Sequence, residues 1–199
     1  MSYPGRRVGG VTDLVVGEDG LARCRWGSSP DYIAYHDTEW GKPLRGDDHL
    51  YERMTLEAFQ SGLSWLTILR KRDNFRRAFD NFTIKTVAGY DESDVARLMA
   101  DAGIVRNRQK VDAAIHNARA ALAVEGGLSD LLWSFAPPPR PHRPRSFAEV
   151  PAITPESTAM AKALKKRGFR FVGPTTAYAL MQATGMVDDH LEGCHVPPP

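Results

Sequence analysis

The stretch "KKRGFRFVGPTTAYALMQATG" (residues 165–185) decides how this sequence is interpreted. Gly168 is typical of the end of one helix, and Gly173 followed by proline is typical of the start of the next. Between them lies a short apolar hairpin, 169–172. The start of the second helix offers unpaired backbone N–H groups, and Gly173 would let a phosphate approach the backbone closely. Two interpretations are open: an ordinary αα-hairpin, which is the commoner case, or a phosphate-binding site.

The rest of the chain also predicts helices. Apolar residues recur at helical spacing in 46–63, at Leu50, Met54, Ala58 and Leu63, and in 64–79, at Leu66, Leu69, Phe75 and Phe79. Residues 91–103 begin with a capping-type acidic run and stop at a glycine, and 107–136 contains two further helical segments. Thr154, followed by proline at 155, is typical of the start of another helix, which ends at Gly168. No long stretch alternates between apolar and polar residues. We therefore predict an all-α fold, with a short strand near the N-terminus as the alternative at that end.

Composition sets further limits on the protein. The chain has 199 residues and a net charge of +2, and no apolar run has the length of a membrane span or a signal peptide. We expect a cytoplasmic protein that does not enter the membrane. The predicted organisation is a flexible extension over 1–21 and one domain over 22–195, with two lobes around a cleft. The stretch "PPPRPHRPR" (137–145) is predicted to be a stiff linker.

Basic residues are clustered rather than spread evenly. They occur in "LRKRDNFRR" (69–77), "RNRQK" (106–110) and "KALKKRGFR" (162–170). Such runs are commonly solvated helix faces. Three of them beside glycine turns equally favour a surface that binds phosphates.

Two cysteines, Cys24 and Cys194, lie 170 positions apart. A disulfide that joins the two ends is conceivable, but a reducing cytosol disfavours it, so a shared metal ion is the preferred interpretation. His190 precedes Cys194 by four residues. On a helix or a helical turn these two side chains would point the same way.

One helix carries an acid beside aromatic residues. Glu57, Ser61 and Trp65 are spaced four apart across a glycine, which could place an acid and a large ring on one wall of a pocket. The stretch 26–40 adds two tryptophans and two tyrosines. The alternatives are a solvated glutamate and an aromatic core.

The quoted stretch continues as "FVGPTTAYALMQATGMVDDH" (171–190). It resembles the helix-hairpin-helix DNA glycosylase superfamily, in which a hairpin precedes a helix and a Val-Asp-x-His stretch. Further segments resemble one family within it, DNA-3-methyladenine glycosylase I. These are "RCRWG" (23–27), "YIAYHDTEWG" (32–41), "LEAFQSGLSWLTILRKR" (56–72), "DAGIVRNRQK" (101–110) and "ALKKRGFRFVG" (163–173).

The resemblance covers residues 22 to 194 and implies both fold and activity. The fold would be a helix-hairpin-helix glycosylase domain with a zinc site joining its N- and C-terminal segments. The enzyme would hydrolyse the N-glycosidic bond of 3-methyladenine in alkylated double-stranded DNA and release the free base. A monomer is expected. The rival class is a zinc-stapled DNA-binding module without activity, and Glu57 is the residue that separates the two.

The resemblance also implies a zinc ligand set. The family's ligand positions correspond to Cys24, His36, His190 and Cys194. Two thiolates and two imidazoles form a tetrahedral set suited to Zn²⁺, and four protein ligands leave no position for a reacting water. The single zinc ion would therefore be structural, which argues against a zinc-dependent hydrolase.

The resemblance assigns the base-binding pocket next. Glu57 stands where the family binds the base, and the same role is implied for Trp26, Tyr32, Tyr35, Trp40 and Trp65. Methylation at N3 makes adenine in DNA cationic, so stacked rings gain cation–π attraction and a carboxylate favours the charge. Because such a base is a good leaving group, little acid catalysis is needed.

The DNA contacts implied by the resemblance lie on the hairpin and on one turn. The residues assigned to the hairpin region are Lys165, Lys166, Gly168, Phe171, Gly173 and Thr175. Leu63 corresponds to a wedge that fills the gap left by the flipped base, unless it is a core leucine.

Two positions bear on the mechanism. Thr175 stands where bifunctional relatives carry a Schiff-base lysine, so no strand cleavage is expected. Asp188 stands where the superfamily places its catalytic aspartate. It is a tentative second catalytic residue, with helix capping as the alternative.

Overall fold

The computed structural model of the chain describes residues 13–198. Within that range the fold is helical apart from one pair of short strands, so the prediction of a mostly helical fold is confirmed. The helices are α1 Pro30–Thr38, α2 Asp47–Gln60, α3 Trp65–Ala78, α4 Ile84–Ala88, α5 Glu92–Ala100, α6 Arg108–Leu122, α7 Leu128–Trp133, α8 Pro155–Lys166 and α9 Pro174–Ala183.

The two strands lie at the N-terminal end, where a short strand was the alternative. Strand β1 (Leu14–Val16) pairs antiparallel with β2 (Ala22–Cys24), with Leu14 opposite Cys24. The described part of the predicted extension 1–21 therefore contains β1 and the turn that leads to β2. Residues 1–12 of that extension lie outside the described residues. The backbone hydrogen bonds of the strands give this segment a defined structure.

Local signals set several helix ends as the sequence predicts. Asp91 caps α5 in a capping box with Asp94, and Thr154 caps α8 in a capping box with Ser157. Each side chain accepts a hydrogen bond from an otherwise unpaired N–H group of the first turn. These caps fix the first residues of α5 and of α8, the helix that leads into the hairpin.

The core is built around α2, whose Leu50, Met54 and Phe59 are fully buried. Helices α3, α6, α7 and α9 pack against it. Three predicted apolar positions behave differently. Leu63 lies beyond the end of α2 and is 41% exposed, and α3 buries Ile68 instead of Leu66 and Leu69. The helix period alone does not say which side of α3 faces α2.

The proline-rich segment 137–145 is more than a spacer, because its arginines bind the C-terminal segment. Arg140 Nη1 donates to Asp189 Oδ1 at 2.6 Å, and Arg143 Nε donates to Asp188 Oδ2 at 2.7 Å. The Glu192 backbone N–H donates to the Pro144 carbonyl at 2.8 Å. Charge-assisted hydrogen bonds of this kind are stronger than neutral ones. They hold the segment against the residues that follow α9.

The two ends of the described chain meet. The backbone N–H of His195 donates to the carbonyl of Ala22 at 2.8 Å, which joins the C-terminal segment to β2. Among the described residues, we find no helix with the length and apolar character needed to cross a membrane.

Candidate functional site

A cavity of about 340 Å³ lies between α1, α2, the start of α3 and α9. All six residues predicted to bind the base line it. They are Trp26, Tyr32, Tyr35, Trp40, Glu57 and Trp65. Glu57 and Trp65 therefore share one wall, as their spacing predicts. Ser61, the third member of that pattern, is not among the lining residues.

The aromatic residues of the cavity pack on one another at angles rather than in a flat stack. The rings of Trp26 and Trp40 are 4.8 Å apart and edge-on, and those of Tyr35 and Trp65 are 5.5 Å apart and tilted by 42°. Buried Arg53 lies behind the second pair and donates from Nη1 to the Tyr35 hydroxyl at 3.1 Å. Edge-on packing fixes the rings and leaves faces free for a planar ligand.

Glu57 is a buried acid of the cavity. Its side chain is 6% exposed, and no hydrogen-bond donor to it is found in the described part of the chain. Burial raises the pKa of Glu57 to about 7, and Arg53, one turn earlier on α2, acts in the opposite direction. An ionised carboxylate in this position is poorly solvated. It would gain from a cationic ligand or an N–H donor.

The α9 side of the cavity contains polar residues that the sequence did not reveal. Gln182 lines the cavity, and so does Asp189, which is 1% exposed. Asp189 is fully engaged: Oδ1 accepts from Arg140, and Oδ2 accepts from the Tyr178 hydroxyl at 2.7 Å and from Gln182 Nε2 at 2.9 Å. The acidic pair in "MVDDHL" (186–191) was the available signal, but it does not say which acid faces inwards.

Asp188 turns away from the cavity. Its Oδ1 accepts from the His190 backbone N–H at 3.2 Å and lies 3.0 Å from His190 Nδ1, while Oδ2 accepts from Arg143. Asp188 is not among the residues that line the cavity beside Glu57. The structure therefore separates these two predicted catalytic residues and makes Asp188 a partner of His190. The reason is local, since residues 187–190 leave the helix and neighbouring side chains point to opposite sides.

The predicted hairpin joins α8 to α9 at the protein surface. Phe171 has a left-handed φ of 55° and is 38% exposed. Gly173 has φ −74°, and a Cβ added there would meet no atom within 4 Å. Neither the backbone nor the packing of the protein requires glycine at this position. An open approach to the first N–H groups of α9 is a sufficient reason for it.

The other residues assigned to the hairpin region lie on the same surface. Lys165, Lys166, Gly168 and Thr175 are exposed. Asn117 of α6 makes two hydrogen bonds to the hairpin backbone. Its Nδ2 donates to the Arg170 carbonyl at 3.0 Å, and its Oδ1 accepts from the Arg170 N–H at 2.8 Å. The hairpin is therefore a rigid feature with a free outer surface.

Leu63 stands on the turn between α2 and α3 and is 41% exposed, so it is not a core leucine. Buried Lys110 of α6 secures this turn. Its Nζ donates to the Phe59 carbonyl at 2.8 Å and to the Ser61 carbonyl at 2.5 Å. A cation at the C-terminal end of a helix binds carbonyl groups that the helix leaves unpaired.

Three of the four predicted metal ligands come together at the ends of the chain. Ligand atoms of Cys24, His36 and Cys194 lie within 4.8 Å of one another, and all three residues are buried. Both cysteines are free thiols. The hydrogen bond with Cys24 lowers the pKa of the Cys194 thiol, and His36, whose Nε2 is 3.7 Å away, adds to this effect.

His190, the fourth predicted ligand, lies beside this set. Its ring is 5.0 Å from that of His36, and it is 2% exposed. His190 Nδ1 is directed at Asp188, and Nε2 is buried and has no hydrogen-bond partner in the range 13–198. The segment 190–194 forms a turn and not the helix on which both side chains would point the same way. Gly41 (φ 76°) is needed here, since a Cβ would lie 2.7 Å from the His190 ring.

The geometry can be compared with proteins of known family. A sequence profile of the family described as methyladenine glycosylase matches residues 25–197. DNA-3-methyladenine glycosylase 1 of Escherichia coli (strain K12) is 48% identical over 179 residues, which are 87% of this chain and 96% of the relative.

Solved structures agree. A crystal structure of 3-methyladenine DNA glycosylase I superposes with a TM-score of 0.84 at 48% identity, covering 88% of this chain and 100% of the other. A Tyr-to-Phe variant of a 3-methyladenine DNA glycosylase I, solved in complex with 3-methyladenine, gives a TM-score of 0.83 at 34% identity, covering 89% and 98%. By its sequence and by its fold, this chain belongs to the methyladenine glycosylase family.

Proposed function

We propose that this protein hydrolyses the N-glycosidic bond of 3-methyladenine in alkylated double-stranded DNA, releasing the free base and leaving an abasic site. The observation that carries the proposal is Glu57, a buried carboxylate inside an aromatic cavity that has no hydrogen-bond donor among residues 13–198. A protein that only binds DNA has no use for a carboxylate that burial makes costly to ionise. The inactive DNA-binding module is therefore the weaker reading.

The residues of the cavity suit a cationic base. Tyr35, Trp65 and Trp40 offer ring faces that attract a cation, and Glu57 can accept hydrogen bonds from its edge. The carboxylate also favours the positive charge that weakens the glycosidic bond. In this mechanism the protein holds the flipped base and excludes bulk water, and the alkylated base itself is the good leaving group.

DNA would reach the cavity through two surface features already described. The hairpin offers the N-terminal end of α9 to a backbone phosphate, with Lys165 and Lys166 nearby. Leu63, exposed on a turn that Lys110 secures, would fill the space that the flipped base leaves. The hairpin would contact the DNA backbone and Leu63 would enter the base stack, so neither would recognise a base sequence.

We also propose that the enzyme does not cleave the strand. A Schiff-base reaction needs an amine beside the sugar. Of the described residues, those that line the base cavity include no lysine. On the hairpin, Thr175 occupies the position where the bifunctional enzymes carry that lysine.

We propose one structural Zn²⁺ held by Cys24, His36, His190 and Cys194. The residues fit: the donor set contains two thiols, and the unpaired buried Nε2 of His190 is the nitrogen that a metal would use while Asp188 holds Nδ1. The ion would tie the β1–β2 end of the chain to the segment after α9. With four protein ligands it would take no part in hydrolysis.

The test is base release from methylated duplex DNA by the purified protein. We expect free 3-methyladenine to appear without nicking of the strand. Glu57→Gln should slow single-turnover release roughly ten- to a hundredfold, the value of a charge-assisted hydrogen bond of about 1.5–3 kcal/mol.

Duplex affinity of the same variant is the control, and it should hold, because the hairpin and basic residues are unchanged. Full activity in both Glu57→Gln and Glu57→Ala would show that Glu57 does not contribute to base release. If the wild-type protein released no base, the proposed function would be refuted.

A further inference from the structure

Gln182 lies in the wall of the base cavity. It stands on the last turn of α9 and is half-buried. Its Nε2 donates to Asp189 Oδ2 at 2.9 Å. Gln182 and Glu57 thus reach the same cavity from two different helices.

The orientation of the Gln182 amide is determined by its neighbours. An ionised carboxylate can only accept hydrogen bonds, so Gln182 must present Nε2, and not Oε1, to Asp189. Asp189 cannot turn away, since Arg140 holds its Oδ1 at 2.6 Å and the Tyr178 hydroxyl holds its Oδ2 at 2.7 Å. The remaining atom, Oε1, is an acceptor to which no donor is found in the described part of the chain.

We propose that Gln182 recognises the exocyclic amino group of the flipped base through Oε1, and that Asp189 and Arg140 are positioning residues for it. The inference rests on the proposed function, because it needs an alkylated adenine in this cavity. It adds a residue that selects between adenine-type and guanine-type bases.

The chemistry of the base supports this assignment. In 3-methyladenine still joined to deoxyribose, the amino group provides the base's only N–H groups, and there are two of them. Among the acceptors that line the cavity, the Glu57 carboxylate and Gln182 Oε1 lie on two different helices, and neither has a donor in the described part of the chain. Guanine has an oxo group where adenine has the amino group, so an acceptor directed there would be left unpaired and repelled.

The roles of the neighbours follow from the same geometry. Asp189 does not need to touch the base in order to matter, because its carboxylate decides which end of the amide faces the cavity. An asparagine at 189 could either donate or accept, so the amide of Gln182 would no longer be held in one orientation. Arg140 would exert its effect from the proline-rich segment, outside the cavity.

The experiment measures 3-methyladenine and 3-methylguanine released from the same methylated duplex under single-turnover conditions. Gln182→Met removes the acceptor but keeps a side chain of similar size. It should lower the rate of 3-methyladenine release relative to that of 3-methylguanine about tenfold. Asp189→Asn should lower it roughly threefold, because only part of the amide population turns. Gln109→Met, an equivalent change at an exposed position of α6, should leave the ratio unchanged.

The ratio separates recognition from general damage. Loss of both activities with an unchanged ratio in Gln182→Met would overturn the inference, and so would unchanged rates. Thermal melts show whether each variant folds, and Asp189→Asn tests the inference if Gln182→Met does not fold. A wild-type protein that releases neither base would refute the proposed function and this inference together, whereas an active wild type with an unchanged ratio refutes the inference alone.

Discussion

The two sides of the base cavity each contain a buried carboxylate, yet the two acids have opposite surroundings. Glu57, on α2, is 6% exposed and has no donor in the described part of the chain. Asp189, after α9, is 1% exposed and accepts from three side chains. Both acids are therefore buried, and they differ in their hydrogen-bond partners.

That difference separates positioning from binding. The hydrogen-bonding capacity of Asp189 is used by the protein, so this acid organises the wall in which it stands. The capacity of Glu57 is left for a ligand, and the unliganded protein bears the cost of its burial. With a pKa raised to about 7, the cost of ionising Glu57 in the folded protein is roughly 3 kcal/mol.

The largest expected effect concerns the support of the α9 side. Asp189 directly precedes His190, so loss of the Cys/His cluster should loosen this side first. Cys194→Ala should lower the zinc content and the free energy of unfolding together, the latter by several kcal/mol. Elemental analysis and thermal melts of the same preparation provide the measurement. A metal-free wild-type protein with an unchanged melting temperature would contradict the proposal of a structural zinc.

Removal of each acid in turn compares the two sides directly. Asp189→Ala leaves Arg140 and the buried Tyr178 hydroxyl without their acceptor and should destabilise the fold by about 3 kcal/mol. Glu57→Ala removes a buried acid whose ionisation is costly, so at neutral pH it should not destabilise the fold and should stabilise it by up to about 3 kcal/mol. Urea denaturation at neutral pH measures both. Equal losses would show that Glu57 has a partner in solution.

The pH dependence of stability sharpens the comparison. The folded-state pKa of Glu57 is about 7, against an ordinary value of 4.5. Below about pH 4.5 the carboxyl is protonated in both states and carries no penalty. As pH rises from about 4.5 to about 7, the carboxyl ionises in the unfolded chain before it ionises in the folded protein, so the folded state is progressively destabilised. Glu57→Gln should therefore gain stability over the wild type between pH 4.5 and 7.5, by about 2–4 kcal/mol at the upper end.

Activity should depend on pH in the opposite sense. Because the ionised form of Glu57 is the one that favours a cationic base, wild-type base release should fall as pH drops below about 7. The Gln variant should lack this step. Parallel denaturation and release series for the two proteins isolate the contribution of Glu57 from that of other titrating groups. Parallel curves would show that Glu57 does not titrate in this range.

The smallest expected effect lies outside the cavity, on the hairpin. Gly173→Asp places a negative charge where a phosphate must approach and should weaken duplex binding roughly tenfold. Binding of free 3-methyladenine should be unaffected, and the fold should survive, since a Cβ there meets no atom within 4 Å. Gly173→Ala is the matched control, with a smaller loss. If Gly173→Asp lost base binding and duplex binding equally, misfolding would be the cause.

The sequence predicted the helices well because their ends carry local signals, such as Thr154 before α8. It also identified the aromatic wall and Glu57, through spacing and resemblance. It did not identify Gln182 and Asp189. The direction of an acid in the non-helical stretch after α9 depends on Arg140, 49 positions away in the sequence. No local pattern encodes such a contact.

Two further misses have the same origin. The hold of Asn117 on the hairpin spans 53 positions, and that of Lys110 on the Leu63 turn spans 49. In each case a polar residue on α6 satisfies backbone groups of a distant loop. The sequence shows only a polar residue on a helix, where solvent exposure is the ordinary expectation.

The meeting of the chain ends has a consequence for the order of folding. Cys24 and Cys194 lie 170 positions apart, so nearly the whole chain must be in place before their sulfur atoms come together. The entropy lost in closing a loop grows only slowly with its length, by about 0.6 kcal/mol for each doubling. Dividing the cluster between the two ends of the chain therefore adds little to the free-energy cost of folding, but the cluster forms late. During synthesis, the proposed zinc ligands come together only after Cys194 has been made and its segment has docked on β2.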